Sequence, residues 1–378
     1  MRYPDGSARH HAAAISLRDL ESRLPARLIE PLTHGALLAT SSTGLRRIPI
    51  SLLEGPTHGS GQRATMLLAG HEPWSRYLPQ LFFADTPMYR PLGELPVWRL
   101  KEVVETHATA ADLTVIRIDG WSARWWLRGG GFLAVPEWIG TRLPVPADLE
   151  PLLQSNGSIR RDMTLVRRHG FAPALAADGD ALRFFYRHMY LPYTRARYGD
   201  DSYVRTEADL ARRLRRGAIL WVLDRGERVA GALYECSGDE LVLLALGTLD
   251  GDLALVRRGA VAATYYFALR RAQELGCATV NLRGCRPSLR DGVLAYKKKW
   301  GAAVCAKPET YYDLLLRWNR PSDIVLEFFT RNPLVFRNGA GFAALTGAPP
   351  EQARSLGMAG IDAIYRLTEG GSVQRIDG

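Results

Sequence analysis

Three consecutive lysines are the residues whose type and spacing best suit chemistry on an anion. The chain has 49 basic residues, and only five of them are lysines. Three of these five, Lys297, Lys298 and Lys299, stand together in the segment VLAYKKKWGA. A lysine ammonium can neutralise a phosphate or stabilise a developing oxyanion, and a partly desolvated one can take part in proton transfer. The sequence therefore concentrates groups that could bind an anion or transfer a proton in one short segment.

A helix over 292–300 would separate the three lysines in space. Its apolar face consists of three residues at helical spacing, Val293, Tyr296 and Trp300. Lys297 lies at the margin of this face, so we expect it to enter a groove beside a sheet. Lys298 and Lys299 point away from the apolar face. We expect these two to face water or a polyanion, and for them a solvated surface is the simpler interpretation.

The turn at 257–260 is a second group suited to anions. Arg257 and Arg258 precede Gly259 and Ala260, which open a long helix. A helix N-terminus presents unpaired N–H groups and a partial positive charge, and small residues there let a phosphate approach. The alternative is a capped surface helix with two solvated arginines.

The overall charge also points to an anionic partner. The chain of 378 residues has a formal net charge of +10, with 47% hydrophobic and 23% charged residues. This composition is that of a folded protein with room for two domains, and the basic excess favours nucleic acid, a membrane surface or a phosphorylated small molecule.

The cysteines and the hydropathy favour a cytoplasmic protein. The four cysteines have no metal-ligand spacing, so we predict no zinc site and reduced thiols: Cys236, Cys277, Cys285 and Cys305. The N-terminal segment has no apolar secretory region, and no window is apolar enough to span a membrane.

The sequence pattern of the first half of the chain predicts an α+β region, and no motif in it indicates a particular chemistry. Strand-like runs occur at 35–42, 47–54, 64–70, 113–119 and 131–135. Helical runs occur at 74–84 and 99–108. The Gly129-Gly130-Gly131 run lacks a phosphate-loop spacing and is predicted to be a turn. A division falls near 140–160, after a tryptophan-rich stretch.

The second half predicts a definite order of elements. An aromatic helix over 178–199, interrupted at Pro192, precedes a short helix that Thr206 caps. Three strand-like runs with short turns predict an antiparallel meander. A long helix over 260–276, a strand, the lysine helix and the strand 310–318 follow, and a helical tail closes the chain.

This order over about 178–318 resembles the GNAT acyltransferase fold. Within that superfamily it looks most like the Fem-type aminoacyl-tRNA-dependent transferases and their cellulose-biosynthesis-type relatives. The matching residues are Asn281, Arg283 and Gly284, the pair Tyr296-Lys297, the pair Trp300-Gly301, and Gly276 at the end of the long helix. The resemblance implies an α+β protein with two GNAT-like domains, the first degenerate. We expect this first domain over 1–150, a catalytic domain over 151–320 and a C-terminal helical tail over 321–378.

The resemblance also implies a set of site residues, with no metal among them. Lys297 is the expected catalytic residue. The donor-binding residues are expected to be Arg257, Arg258, Gly259, Ala260 and Lys298. The acceptor-binding residues are expected to be Tyr190, Tyr193, Arg195, Asn281 and Arg283. A backbone N–H in 245–248, on the splayed fourth strand, is expected to polarise the acyl carbonyl.

Three functions remain open at this point. The first is an amide-forming transfer of an aminoacyl group from aminoacyl-tRNA, as co-substrate, to an amine acceptor, without a bound cofactor. The coenzyme-A-binding pattern R/Q-x-x-G-x-G/A is incomplete in LVRRGAVAA, and the basic charge favours tRNA. The second is an N-acyltransferase that uses acyl-coenzyme A, and the third is an inactive GNAT-like module that binds RNA or another anion.

Overall fold

The computed structural model describes residues 47–70, 77–127, 129–199, 204–307, 310–318 and 321–376. The predicted strand at 35–42 lies outside the described residues. The α+β class is confirmed, because the described chain forms three sheets with helices packed against them.

The first sheet carries the spatial order β3-β1-β2-β4-β13-β5. Its strands are β1 (Arg47–Pro56), β2 (Arg63–Ala69), β3 (Met88–Pro96), β4 (Leu113–Asp119), β5 (Leu133–Pro136) and β13 (Tyr312–Trp318). The helices of this region are α1 (Tyr77–Phe82), α2 (Leu100–Ala108) and α3 (Gly120–Trp126). Buried apolar side chains lie on both faces of the sheet, as expected for strands with nearly continuous hydrophobic runs. The Gly129–Gly131 run forms the predicted turn, with positive φ at Gly129 and Gly131.

The second sheet has the order β12-β6-β11-β10-β9-β8-β7. Its strands are β6 (Ile139–Pro144), β7 (Ala172–Ala176), β8 (Gly217–Asp224), β9 (Glu227–Ser237), β10 (Glu240–Thr248), β11 (Thr279–Cys285) and β12 (Ala303–Cys305). The predicted meander is confirmed, because β8, β9 and β10 pair antiparallel in succession. The step from β10 to β11 is parallel. This is the sheet that the GNAT resemblance implied.

Helices flank the second sheet. Those before the meander are α4 (Glu150–Gln154), α5 (Gly157–His169), α6 (Gly179–Phe185), α7 (Leu191–Tyr198) and α8 (Glu207–Leu214). Those after the meander are α9 (Leu253–Arg257), α10 (Ala260–Glu274) and α11 (Gly292–Lys299). The cap of α8 is as predicted, since the Thr206 hydroxyl accepts the N–H of Asp209 at 3.2 Å. The predicted interruption at Pro192 is wrong, because α6 runs into α7 through a π-helical turn at Tyr186–Tyr190. Pro192 is tolerated because it lies in the first turn of α7.

The two large sheets each contain one strand from the other half of the chain. β6 precedes residue 150 but pairs with β11 and β12, and β13 follows α11 but pairs with β4 and β5. The strand 310–318 is therefore a strand as predicted, but it does not close the second sheet. Sheet membership does not follow the expected division at 150. In each sheet the inserted strand lies antiparallel beside the second strand of a parallel pair, β2–β4 or β10–β11.

The predicted helical tail is wrong. Residues beyond 321 contain α12 (Asp323–Arg331) and α13 (Pro350–Ser355), but also a third sheet. Its strands are β14 (Leu334–Asn338), β15 (Gly341–Thr346), β16 (Ala363–Leu367) and β17 (Val373–Ile376), in that spatial order. These strands are four to six residues long, and such short apolar runs do not distinguish a strand from a helix.

Candidate active site

The candidate site lies where β10 and β11 diverge. These parallel strands share only three residue pairs, Glu240–Val242 with Thr279–Asn281. β10 then continues to Thr248 and β11 to Cys285. Beyond Val242, no described strand pairs with the β11-facing edge of β10. The predicted carbonyl-polarising segment, 245–248, lies on this diverging part, and its role stays a prediction.

The end of β11 is irregular and is held in place by side chains. Arg283 has a φ of 63°, in the left-handed region that is uncommon for a residue with a side chain. The Asn281 carboxamide oxygen accepts the backbone N–H of Arg283 at 2.9 Å, and its amide nitrogen donates to Glu240 at 2.9 Å. The Thr141 hydroxyl donates to the carbonyl of Arg283 at 2.8 Å. Asn281 and Arg283, both expected to bind the acceptor, thus build the bend in the strand itself.

The Lys297 ammonium completes this bend. The side chain is 4% exposed, and its Nζ donates to the carbonyl oxygens of Leu282 at 2.6 Å, Gly284 at 3.2 Å and Arg283 at 3.3 Å. A lysine ammonium has three N–H donors, so these three carbonyls satisfy it. The expectation that Lys297 enters the interior beside the sheet is met. Its geometry is that of a positioning residue, and the catalytic role stays a prediction.

The helix that carries Lys297 is fixed at both ends. The Asp291 carboxylate accepts the N–H groups of Val293 and Leu294 at 3.0 and 2.9 Å, which caps α11. Trp300 is fully buried, with its ring centroid 5.6 Å from that of Tyr265. Gly301 has a φ of 84° and follows the last turn, as predicted.

The other two lysines do not stand free in water, contrary to expectation. Lys299 forms an ion pair with Asp162, and its side chain is only 17% exposed. Lys298 donates to the carbonyl of Ser355 at 3.0 Å, and partial burial lowers the pKa of its ammonium. Both lysines tie α11 to neighbouring helices, because Asp162 is in α5 and Ser355 ends α13. A donor-binding role for Lys298 stays a prediction.

The predicted donor turn at 257–260 is covered by α5. Gly259 has a φ of 94°, and a Cβ built on it would lie 3.1 Å from the Cβ of Leu165. Ala260 has no exposed surface. Arg258 forms an ion pair with Asp224, while Arg257 is exposed. The structure thus brings α5 onto the turn where the sequence predicted an open phosphate site.

The expected acceptor residues divide between the interior and the surface. Tyr190 is buried, and its hydroxyl oxygen accepts the backbone N–H of Arg205 at 3.0 Å. Tyr193 is also buried, whereas Arg195 is exposed. The backbone of this helical segment touches β10 closely, since a Cβ on Gly247 would lie 2.4 Å from the carbonyl of Met189. Only glycine permits that approach.

A group of tyrosines meets where α7, α10 and α11 converge. The Tyr265 ring centroid lies 5.2 Å from that of Tyr296, in an edge-on arrangement. Burial raises the pKa of Tyr193, Tyr265 and Tyr296, and their neighbouring phenols raise the pKa of Tyr265 further. These phenols therefore stay protonated at neutral pH, where they can donate hydrogen bonds but do not act as bases. The sequence placed Tyr296 on the apolar face of its helix and did not single out Tyr265 as a site residue, because helical spacing does not show which hydroxyls converge.

Two kinds of feature are absent from the part of the chain that the structure describes. It holds no group of three or more metal-ligating side chains that could bind an ion. No helix in these residues has the length and apolarity to cross a bilayer.

Solved structures give distant similarities. "FemX" is 15% identical, with a TM-score of 0.37, and the match covers 73% of this chain and 90% of that one. L-PGS from Bacillus licheniformis is 11% identical, with a TM-score of 0.36 and coverage of 74% and 85%. A GCN5-related N-acetyltransferase from Sphaerobacter thermophilus is 13% identical, with a TM-score of 0.32 and coverage of 68% and 78%. No family model and no curated protein matches the chain.

Proposed function

We propose that this protein is an amide-forming acyltransferase that transfers an aminoacyl group from aminoacyl-tRNA to an amine acceptor. The observation that carries the proposal is the divergence of β10 and β11 after three residue pairs, with the end of β11 fixed by Lys297 and Asn281. An acyl group held in this opening would meet unpaired backbone groups of β10 on one side. Positioning of two reactants can supply a large part of the rate of such a transfer.

The reaction needs little covalent chemistry from the protein. The acceptor amine attacks the carbonyl carbon of the aminoacyl ester, a C–N bond forms, and the carbonyl oxygen becomes an oxyanion. A backbone N–H in 245–248 would donate to that oxyanion. The C–O bond to the tRNA ribose then breaks, and the ribose oxygen takes up a proton that the amine loses. The neutral phenols of Tyr265 and Tyr296, whose ring centroids are 5.2 Å apart, are candidate hydrogen-bond donors to the departing ribose oxygen.

Two observations favour a tRNA donor over coenzyme A. The net charge of +10 suits a polyanion. The coenzyme-A-binding pattern is incomplete in the segment that opens α10. The covering of Gly259 and Ala260 by α5 leaves little access for a phosphate of either donor there, so it does not distinguish the two.

A reconstituted transfer assay tests the proposal. The purified protein is supplied with a labelled amino acid, the matching synthetase and tRNA, and a panel of amines. We expect a labelled amide whose formation RNase abolishes. Transfer from acyl-coenzyme A that survives RNase would instead establish the coenzyme-dependent alternative. RNA binding without product from either donor would indicate an inactive anion-binding module.

A further inference from the structure

Arg286 lies at the junction of the three sheets. It directly follows β11, and the next residue, Pro287, accepts the backbone N–H of Val335 in β14 at 2.8 Å. Its side chain reaches Tyr77, the first residue of α1, and Trp138, between β5 and β6. The guanidinium group therefore lies between α1 and the connection from β5 to β6, while the backbone next to it meets the third sheet, two residues beyond the Gly284 carbonyl that accepts from Lys297.

Two aromatic rings hold this guanidinium. Its central carbon lies 4.2 Å from the ring centroid of Trp138 and 4.6 Å from that of Tyr77. Aromatic faces attract a cation and fix the plane of the group, but they do not accept its N–H groups as a carboxylate would. The rings thus orient Arg286 without satisfying its hydrogen bonds.

One buried nitrogen of the Arg286 guanidinium has no hydrogen-bond acceptor within the described residues. Its Nη1 is buried and has no hydrogen-bond partner there. Burial also lowers the pKa of the guanidinium. Leaving a buried charged donor unpaired costs free energy, and structural arginines in protein interiors are normally paired. An arginine with a buried, unpaired N–H donor is suited to bind an acceptor group on a ligand.

The nearby carboxylates are already engaged. Glu137 and Asp291 both interact electrostatically with Arg286. However, Glu137 accepts two hydrogen bonds from Arg117, at 3.2 and 3.1 Å. Asp291 is the cap of α11. The second nearby cation, Arg117, is thus neutralised, and the planar fork of Arg286 is the group left for an incoming anion.

Arg286 is also adjacent to the candidate site. Only one residue separates it from Gly284, whose carbonyl accepts from Lys297. Asp291, which acts electrostatically on Arg286, caps the helix that carries Lys297.

We propose that Arg286 binds an anionic oxygen group of the acceptor substrate, a carboxylate or a phosphate. The planar fork of a guanidinium matches either group with two parallel hydrogen bonds. The acceptor is then an amine that carries a negative charge, anchored at the sheet junction while its amino group reaches the opening between β10 and β11. This assignment of the ligand to the acceptor rests on the proposed function.

Anion binding tests the proposal without any transfer reaction. The thermal unfolding midpoint and the tryptophan fluorescence are measured with sodium phosphate and with sodium acetate, at constant ionic strength. The proteins are the full chain, Arg286→Gln and a matched control, Arg290→Gln. The control removes the same charge from an exposed arginine four residues away, whose side chain hydrogen-bonds only the carbonyl of Arg331, at 3.5 Å, among the described residues.

We expect one of the two anions to raise the midpoint and change the fluorescence saturably in the full chain and in Arg290→Gln, but not in Arg286→Gln. A response to phosphate alone identifies a phosphate, and a response to acetate a carboxylate. Trp138→Phe should remove most of the fluorescence change. An equal response in Arg286→Gln, or no saturable response in the full chain, overturns the proposal. If Arg286→Gln does not fold, Arg286→Lys, which keeps the charge but loses the fork, should bind the anion at least several-fold more weakly.

Acceptor kinetics separate this proposal from the proposed function. If anion binding depends on Arg286 but no acyl transfer is found, the anion site stands and the transferase assignment fails. If transfer occurs, an acceptor and its uncharged amide or alcohol analogue are compared. We expect Arg286→Gln to raise KM for the charged acceptor about ten-fold or more with little change in kcat, and to leave the uncharged analogue unaffected. Equal KM values for the two acceptors in the full chain would refute the acceptor assignment.

Discussion

Lys297 is placed to position the end of β11 at the candidate site. Its ammonium is the shared donor for three carbonyls at the bend of β11. Without it, the carbonyls of Leu282 and Gly284 lose a donor in a buried place, the carbonyl of Arg283 keeps only the Thr141 hydroxyl, and Arg283 loses support for its positive φ. The proposed opening between the strands depends on that bend.

Replacing Lys297 by Met should therefore cost both stability and turnover. We expect a loss of about 2–4 kcal/mol in the free energy of unfolding, from the orphaned carbonyls, and a fall in kcat larger than the change in KM. Denaturant unfolding and transfer kinetics measure the two effects. Lys101→Met is the matched control, because Lys101 is exposed on α2, and it should change both quantities little. Equal small effects in the two variants would contradict the role of Lys297.

The raised pKa of Tyr265 predicts that the free energy of unfolding depends on pH. Burial raises its pKa above the ordinary value of 10.0, so the folded state holds the phenolic proton more tightly than the unfolded state. Its contribution to stability is complete below about pH 10 and is lost as the pH rises above that value. Tyr265→Phe should flatten the fall in unfolding free energy between about pH 9.5 and 11. An unchanged slope would show that the phenol does not titrate differently in the two states.

At the scale of elements, Gly247 controls how the π-helical turn meets β10. A Cβ there would come within 2.4 Å of the carbonyl of Met189. We expect Gly247→Ala to lower the unfolding free energy by about 2 kcal/mol or more, because backbone must move. Gly179→Ala is the control, since a Cβ at that helix start meets no atom within 4 Å. Similar stabilities for both variants would show that the contact is not close.

At the scale of the whole molecule, the C-terminal segment contributes side chains to the hydrophobic core of the first sheet. Val325, Phe328 and Phe329 of α12 are buried, and Phe329 contacts Trp318 of β13 with ring centroids 5.1 Å apart. A chain that ends at residue 320 would expose the apolar face beneath them, at a cost of about 1.5–3 kcal/mol for each lost side chain. We expect this truncated chain to be insoluble or to lack a cooperative thermal transition. A soluble chain with the full unfolding midpoint would show that the tail is an independent unit.

Charge gives a second prediction at this scale. A protein with an excess of ten positive charges that contacts several phosphates should bind tRNA with an affinity that falls steeply with salt. A plot of the logarithm of the binding constant against the logarithm of the salt concentration should have a slope of about −3 or steeper. A slope near zero would argue against tRNA as the donor.

The sequence by itself determined most local elements up to residue 318 and the succession of β8, β9, β10 and β11 in the second sheet. Short turns predict a meander, and helical spacing predicts that Val293, Tyr296 and Trp300 face inward, because these depend on neighbours a few residues apart. Within α11 itself, however, the buried side chains are Leu294, which the spacing did not single out, and Lys297. Only the tertiary structure decided that β6 joins the second sheet, that β13 joins the first sheet, and that α5 covers Gly259. The tertiary structure also decided that Lys297 and Arg286, both cations in the same region of the chain, differ in the hydrogen-bond acceptors around them. Three carbonyl oxygens accept the N–H groups of Lys297, whereas the guanidinium of Arg286 contacts two aromatic rings and its Nη1 has no acceptor within the described residues. Long-range packing alone determines which acceptors reach a side chain.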